Sequence, residues 1–125
     1  MTPIVKRFIE KEKSLVEKGD WKYFFVLWNS FGDDAHFEEL LDVFRLAGIP
    51  IDTYLEQVRP AILHELFDSM IYLRSHKNVL SFDRFFNGIG PHLGASEDEL
   101  KKVFNEVAEQ YDFEYAGDDL WYKKE

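Results

Sequence analysis

The sequence predicts a mainly α-helical protein: a compact bundle of about five to six helices that ends in a small C-terminal β-hairpin. Three observations lead to this fold class. Apolar side chains recur at intervals of three and four along most of the chain, residues typical of helix caps stand at the ends of these segments, and strand-like alternation is confined to the C-terminal end. A chain of 125 residues can bury one substantial core, so residues 1–125 are predicted to form a single domain.

The first helix is predicted to run from Pro3 to about Lys18. Its apolar stripe contains Ile4, Phe8 and Leu15, and charged residues occupy the opposite side. Gly19 follows directly, and glycine at this place commonly ends a helix in the left-handed conformation. The next helix therefore starts beyond this glycine.

The second helix is predicted to be central in the fold. Asp20 is a suitable N-cap, and the segment from Trp21 to Phe31 is apolar on nearly all sides. Aromatic rings at helical spacing in a small domain usually form core. We therefore expect Trp28 and Phe31 in the interior and Trp21 at the periphery.

A third helix is predicted to start at Asp33 or Asp34 and to end before Gly48. Charged residues surround a regular apolar stripe, which is what a surface helix packed on one core presents. That stripe consists of Phe37, Leu40, Leu41 and Phe44.

Prolines mark the predicted boundaries in the middle of the chain. Ile49-Pro50 is predicted to break the chain, Asp52 to cap a short helical turn, and Pro60 to be a break or the first residue of another helix. That helix has an apolar stripe from Ile62 to Ile71.

Shorter elements are predicted after this helix. Residues 75–78 form a loop, Val79-Leu80 is extended, and the glycine-rich run 88–94 is irregular. Ser81 is predicted to cap a short helix whose apolar residues are Phe82, Phe85, Phe86 and Ile89.

The clearest local signal is a capping box at Ser96–Glu99, in which a serine and a glutamate three residues later satisfy backbone donors at the start of a helix. The helix that follows carries its apolar face from Leu100 to Tyr111. Beyond it, 113–115 and 120–122 read as two short strands around a turn.

The order of elements from Phe82 to Lys123 is helix, glycine-containing turn, capped helix and hairpin, and this layout resembles a winged-helix module. In such a module the capped helix would enter the major groove of DNA, where phosphates require lysine and arginine. Here the capped helix is predominantly acidic, and the hairpin turn contains Asp118 and Asp119. Direct nucleic-acid binding is therefore disfavoured, while a winged-helix-like, nucleic-acid-associated adaptor remains an alternative.

A second resemblance concerns calcium. Leu80–Phe85 resembles the exit from an EF-hand loop, and Glu99–Phe104 resembles the helix that enters one. With Leu80 at the eighth loop position, Leu73 and Arg84 fall at the first and twelfth positions, where calcium needs oxygen ligands. The loop cannot bind calcium, and only a metal-free helix pair would fit.

The sequence contains no convincing pattern for catalysis, a metal or a cofactor. It has no cysteine and four histidines, and the nearest approach to a metal site is His36 with carboxylates one turn away. The glycine-rich run 88–94 lacks the lysine and serine of a phosphate-binding loop, and adjacent carboxylates on helices point in different directions. We therefore predict a protein that is not an enzyme, with no cofactor and no metal.

Charge supplies the functional hypothesis. The net charge is −9, and the negative charge is concentrated in residues 32–60, with seven acidic and two basic side chains, and residues 96–125, with ten and four. The leading hypothesis is a small acidic protein-binding module, an inhibitor or antagonist that docks on a basic protein partner of the kind that holds nucleic acid. The predicted contact residues are Glu97, Asp98, Glu106, Glu109, Glu114, Asp118, Asp119 and Trp121, with Asp33, Glu38, Glu39 and Asp42 as a second patch.

Two further expectations follow from composition. Absence of cysteine and of a long apolar run predicts a cytoplasmic protein without membrane contact. Because 17% of the residues are aromatic, a homodimeric structural protein that associates through exposed rings is an alternative to the module hypothesis.

Overall fold

A computed structural model describes residues 3–30, 36–82 and 93–124, and these divide into two compact units. Unit 1 comprises the described residues of Met1–Ile62 and Pro91–Gly94, and unit 2 those of Leu63–Gly90 and Ala95–Glu125. The predicted class is confirmed, because the fold is mainly α-helical with a small C-terminal antiparallel sheet. The single-domain assignment stays a prediction.

Unit 1 is helical throughout its described elements: α1 (Pro3–Lys18), α2 (Trp21–Asn29), α3 (Phe37–Leu46), α4 (Ile51–Thr53), a π-helical turn (Tyr54–Val58) and the start of α5 (Arg59–Leu73). Two predicted boundaries are confirmed. Gly19 adopts φ +71° after α1, and the Asp20 carboxylate accepts the N–H of Tyr23 at 3.3 Å at the start of α2.

The core of unit 1 is a chain of aromatic rings. Phe8 contacts Phe24 edge-on with ring centroids 5.0 Å apart, and Phe24 and Phe44 follow at 5.2 Å. Trp28 is fully buried and Trp21 is half-buried, which confirms their predicted interior and peripheral positions. Phe31 lies outside the described residues.

The predicted start of α3 is wrong. The helix begins at Phe37, and His36 is its N-cap in extended conformation without a side-chain cap hydrogen bond. Asp33 and Asp34, which were expected to cap it, lie outside the described residues and too far upstream to be the cap. Glu38 and Glu39 in the first turn supply negative charge at the N-terminus instead, where the helix dipole favours it.

Of the two predicted roles of Pro60, the break is wrong, because the chain stays helical from α4 through the π-helical turn into α5. The other role, the first residue of a helix, agrees to within one residue, since α5 begins at Arg59. Proline has no N–H, and its ring clashes with the carbonyl four residues earlier in a regular α-helix. The preceding turn is wider, with the Arg59 N–H bonded to the Tyr54 carbonyl, and it accommodates the proline. Asp52 lies inside α4, whose N-cap is Pro50.

Unit 2 contains the rest of α5, strand β1 (Val79–Ser81), helix α6 (Glu97–Gln110), and strands β2 (Phe113–Gly117) and β3 (Leu120–Lys123). The strands form an antiparallel sheet in the order β1-β3-β2. The capping box is confirmed, because Ser96 Oγ accepts the N–H of Glu99 at 3.2 Å. The predicted hairpin and the extended Val79-Leu80 are confirmed as well.

Ser81 was predicted to cap a short helix. It is the last residue of β1 and pairs with Leu120 of β3, and the segment that would form the helix beyond Phe82 lies outside the described residues. Phe85, Phe86 and Ile89 of the expected short helix, and residues 88–92 of the irregular run, lie outside the described residues.

The buried apolar face of α6 organises the core of unit 2. The ring centroid of Phe104 lies 5.6 Å from that of Phe67 and 5.5 Å from that of Phe82, and both contacts are edge-on. Its distance to the Trp121 ring centroid is 4.6 Å. Within the three described ranges, none of the helices combines the length and apolar character that a bilayer crossing requires.

Candidate functional site

The exposed side of α6 forms one wall of the candidate site. The helix buries Leu100, Val103 and Phe104 among others, so its remaining stripes face solvent. Residues 98, 102, 105 and 109 are spaced by four, three and four, which places them on one side of the helix. Because the capping box fixes the first turn, Asp98 has a defined position at the start of this stripe.

The β2–β3 hairpin forms the second wall. Its two-residue turn is Asp118-Asp119, with φ of 55° and 58°, the backbone of a type I′ turn. Asparagine and glycine are usual at these two positions because they tolerate positive φ. The turn thus holds two carboxylates in a conformation that acidic residues adopt at some cost.

An open groove of about 460 Å³ lies between these walls, entirely within unit 2. Such a volume falls in the range of sites that receive a ligand or a peptide segment. The groove is lined by Asp98, Lys101, Lys102, Asn105, Glu109, Glu114, Tyr115, Asp119 and Trp121.

Two aromatic rings form the floor. Trp121 is only 2% exposed, and its Nε1–H donates to Asn105 Oδ1 at 2.8 Å. Asn105 Nδ2 in turn donates to Glu109 Oε1 at 3.3 Å. Tyr115 lies with its ring centroid 4.8 Å from that of Trp121, yet it is 51% exposed, so the floor presents one accessible ring to solvent.

The charges of the groove are unevenly paired. Lys101 Nζ lies 3.0 Å from Asp119 and 3.3 Å from Glu97. The hydrogen bond to Asp119 is the main cause that raises the pKa of Lys101; burial opposes it, and Glu97 adds to it. Among the described residues, no cation lies within ion-pair distance of Glu109 or Glu114.

The structure brings together five of the residues predicted to bind: Asp98, Glu109, Glu114, Asp119 and Trp121 all line the groove. Trp121 contributes its ring to the floor and does not project as an exposed anchor.

The other predicted residues lie elsewhere. Glu97 adjoins the groove through Lys101, while Glu106 and Asp118 are exposed in unit 2 without lining it. The α3 patch belongs to unit 1, where Asp42 pairs with Arg45 at 2.9 Å. Glu38 there is exposed and Glu39 is half-buried. Asp33 lies outside the described residues.

Sequence reasoning missed Tyr115 and Asn105. Tyr115 was assigned to a strand without a role, although strand alternation places it on the same side as Phe113 and its register partner is Trp121. Asn105 carried a weaker signal, a polar residue four positions before Glu109 on the same helix face. Its bond to Trp121 depends on the folded hairpin and has no counterpart in the sequence pattern.

The described residues contain no group of three or more histidine and carboxylate side chains placed to hold a metal ion. His64 lies 3.4 Å from the Gln110 side chain on the surface of unit 2, and His36 precedes α3. Comparison of the chain with models of protein families, with curated proteins and with solved structures found no match.

Proposed function

We propose that unit 2 is a protein-binding module that docks on a basic protein partner through its acidic groove. The observation that carries the proposal is that α6 and the hairpin, distant in sequence, bring Asp98, Glu109, Glu114 and Asp119 around one open groove with an aromatic floor. Carboxylates on a shared surface attract a partner of opposite charge and raise its association rate.

The arrangement of charges in the groove supports docking on a basic partner. Asp119 is neutralised by Lys101, but Glu109 and Glu114 have no cation beside them in the described part of the chain. A cationic group of the partner could therefore pair with either carboxylate without displacing an existing ion pair.

The hairpin turn supports it as well. Asp118 and Asp119 adopt positive φ, where asparagine and glycine would be less strained. Asp119 gains an ion pair with Lys101, whereas Asp118 is exposed at the same turn with no ion pair among the described residues. Residues that break a local rule without a compensating structural gain are often retained for function, and we attribute the carboxylate of Asp118 to partner binding.

As a finer part of the proposal, the module acts as an inhibitor or antagonist in the cytoplasm. A basic groove that normally holds phosphates would accept the carboxylates of Asp98, Glu109 and Glu114 in their place. The chain itself, with a net charge of −9, would be repelled by the nucleic acid it displaces.

A second candidate is a winged-helix-like adaptor. The order α5, β1, α6, β2, β3 and the sheet order β1-β3-β2 favour it, because a winged helix follows its capped helix with a two-stranded wing that pairs with an earlier strand. The exposed acids Glu97, Asp98 and Glu106 of α6 oppose insertion of this helix into DNA. A rise in anisotropy when labelled duplex DNA is titrated at low salt would support DNA reading, and a flat titration would exclude it.

A third candidate is self-association through the outer side of the sheet. Val79 and Tyr122 pair there as neighbours, and both are exposed. Sedimentation velocity over a wide range of protein concentrations tests it: a dimer peak that grows with concentration would favour a homodimeric structural protein.

The test of the main proposal is capture of partners from cell extract on the immobilised protein, followed by affinity measurement with the purified partner. We expect a basic partner whose affinity falls steeply from about 50 mM to about 300 mM salt. Glu109→Gln with Glu114→Gln should weaken binding by about tenfold at the lower salt concentration. Salt-independent binding, or an acidic partner alone, would overturn the proposal.

The matched control is Glu10→Gln with Glu56→Gln, which changes the net charge equally but on unit 1. Loss of affinity in both double variants would indicate a general charge effect and would contradict a specific groove. A third variant, Glu38→Gln with Asp42→Asn, measures the separate contribution of the α3 patch.

A further inference from the structure

We infer that the groove of unit 2 binds an extended, arginine-containing segment of the partner, with a guanidinium group stacked on Tyr115 and hydrogen-bonded to the Glu109 carboxylate. This inference rests on the proposed function and adds to it the chemistry of the bound segment. The length of the groove, the exposed ring and the distribution of charge each contribute a step.

The dimensions suit a short extended peptide. The helix stripe that lines the groove runs from Asp98 to Glu109, and eleven residues of α-helix span about 16 Å. An extended chain of about five residues covers the same distance. A single side chain would leave most of the ≈460 Å³ volume unoccupied.

The ring is held for stacking before any ligand arrives. Tyr115 packs against Trp121 at 4.8 Å with an interplanar angle of 47°, and Trp121 is fixed by its bond to Asn105. Half of Tyr115 nevertheless remains exposed to solvent. Because Tyr115 already packs on Trp121, a cation that stacks on its exposed part restricts the side chain less than it would restrict a fully exposed ring.

The charges place the cation at one end of the groove. Lys102 lies on the same helix stripe towards Asp98, and it repels a positive group there. At the other end, Glu109 accepts the Asn105 amide and has no cation within ion-pair distance among the described residues. Asn105 also accepts the indole N–H of Trp121, on which Tyr115 packs, so the favourable position for a cation is at this end, beside Tyr115.

Arginine fits this end better than lysine. The guanidinium group is planar, stacks on aromatic rings and offers donors in a fork that two carboxylate oxygens can accept. An ammonium group is more strongly hydrated and does not stack as a plane. The exposed ring and the two oxygens of the Glu109 carboxylate thus predict a preference for arginine beyond charge alone.

The experiment is a titration of isotope-labelled protein with two acetylated, amidated pentapeptides, Ala-Arg-Ala-Arg-Ala and Ala-Lys-Ala-Lys-Ala, at equal ionic strength. Resonances of the Trp121 indole N–H and the Asn105 side-chain amide report on the floor of the groove. We expect saturable shifts of both, with half-saturation at a concentration roughly three- to fivefold lower for the arginine peptide. Equal affinities, or shifts confined to other residues, would overturn the inference.

Variants of Tyr115 isolate the stacking contribution. Tyr115→Phe should keep the preference for arginine, whereas Tyr115→Leu should reduce it to the part that the forked hydrogen bonds to Glu109 supply, because an aliphatic side chain has no π face. Tyr122→Leu is the matched control, since Tyr122 is similarly exposed on the opposite side of the hairpin and does not line the groove. An undiminished preference in Tyr115→Leu, or an equal reduction in Tyr122→Leu, would contradict the inference.

The outcomes separate the inference from the function on which it rests. If the purified partner loses affinity in the Glu109→Gln, Glu114→Gln variant but arginine is not preferred, the acidic docking surface stands and the arginine site falls. If partner binding is independent of salt and of both glutamates, the proposed function falls, and the arginine site falls with it.

Discussion

Three aspartates of unit 2 occupy backbone conformations in which glycine or asparagine is usual. Asp112 has φ 66°, and Asp118 and Asp119 have φ 55° and 58°. Asp112 follows α6 at the place where a glycine often ends a helix, and it also puts negative charge at the negative end of the helix dipole. Both the backbone conformation and the charge of Asp112 therefore lower the stability of the fold.

Asp112→Gly should raise the free energy of unfolding by about 1 kcal/mol, because glycine relieves the left-handed strain and the substitution removes the unfavourable charge. Urea unfolding monitored by circular dichroism measures the change. Asp112→Ala is the control, since it removes the charge but keeps a β-carbon. If the glycine variant is no more stable than the alanine variant, the backbone explanation is wrong.

Gly94 and Gly48 form a matched pair in unit 1. Both have positive φ, but a β-carbon on Gly94 would lie 2.6 Å from ring atoms of Phe37, whereas one on Gly48 would meet nothing within 4 Å. Gly48→Ala should cost about 1 kcal/mol of backbone strain. Gly94→Ala should cost roughly 1–3 kcal/mol more, because the ring must move. Equal losses in urea unfolding would contradict the packing argument.

The connection between α5 and the end of α6 provides a pH-dependent term at the scale of elements. The Tyr111 hydroxyl donates to Asp68 Oδ1 at 2.8 Å. This bond is the main cause that raises the pKa of Tyr111, with burial and the negative charge of Asp68 adding to it. Because the pKa of Tyr111 is higher in the folded state than in the unfolded state, its hydrogen bond stabilises the fold fully at pH values below the unfolded-state pKa. This stabilisation is lost as the pH rises through the folded-state pKa.

The stability difference between the wild type and Tyr111→Phe should therefore be constant from about pH 7 to about pH 9 and should shrink above roughly pH 10. Thermal unfolding across this pH range measures it. The raised pKa of Lys101 produces a loss over the same range, but it does so in both proteins and cancels in the difference. A difference that persists unchanged at high pH would rule out the hydrogen bond as its source.

At the hairpin turn, the residues that would stabilise the fold differ from the residues that would give the surface its negative charge. Replacing Asp118-Asp119 by asparagine and glycine gives the preferred type I′ turn, and it removes the ion pair of Asp119 with Lys101 on a partly exposed surface. We expect the melting temperature to rise by a few degrees and partner affinity to fall. Differential scanning calorimetry and the partner titration check the two effects. A lower melting temperature would indicate that the ion pair outweighs the strain.

Element boundaries were predictable where one residue decides them locally. Gly19 ends α1 through its positive φ, and Ser96 caps α6 with its own hydroxyl. The start of α3 and the passage through Pro60 were not, because a wider helical turn and an uncapped start depend on packing that the sequence pattern does not encode.

Part of the candidate site was predictable from the sequence and part was not. Its acidic residues were predictable from composition, since charge density needs no fold to be counted. The groove was not, because it requires α6 and the hairpin to pack through Trp121 and Phe104. Tyr115, the exposed ring of that groove, gains its place from the strand register and was therefore missed.

At the scale of the whole molecule, the net charge of −9 acts against compact structure through self-repulsion. Raising salt from about 10 mM to about 150 mM should increase the melting temperature of the wild type, because the Debye length falls below the spacing of many of these charges. The rise should be smaller in a variant that carries Glu109→Gln and Glu114→Gln. An equal rise in both proteins, measured by calorimetry, would show that repulsion in the groove does not matter.

The π-helical turn before Pro60 contains one residue more than a regular turn would need. Tyr54, Val58 and Ile62 are all buried at steps of four, whereas a regular α-helix rotates about 40° past alignment at each such step. The π-helical turn rotates less per residue than an α-helix, and it therefore compensates for this rotation. A chain shortened by one residue between Tyr54 and Val58, with alanine in place of Pro60, could therefore form an uninterrupted α-helix, so this stretch is where natural length variation would be tolerated.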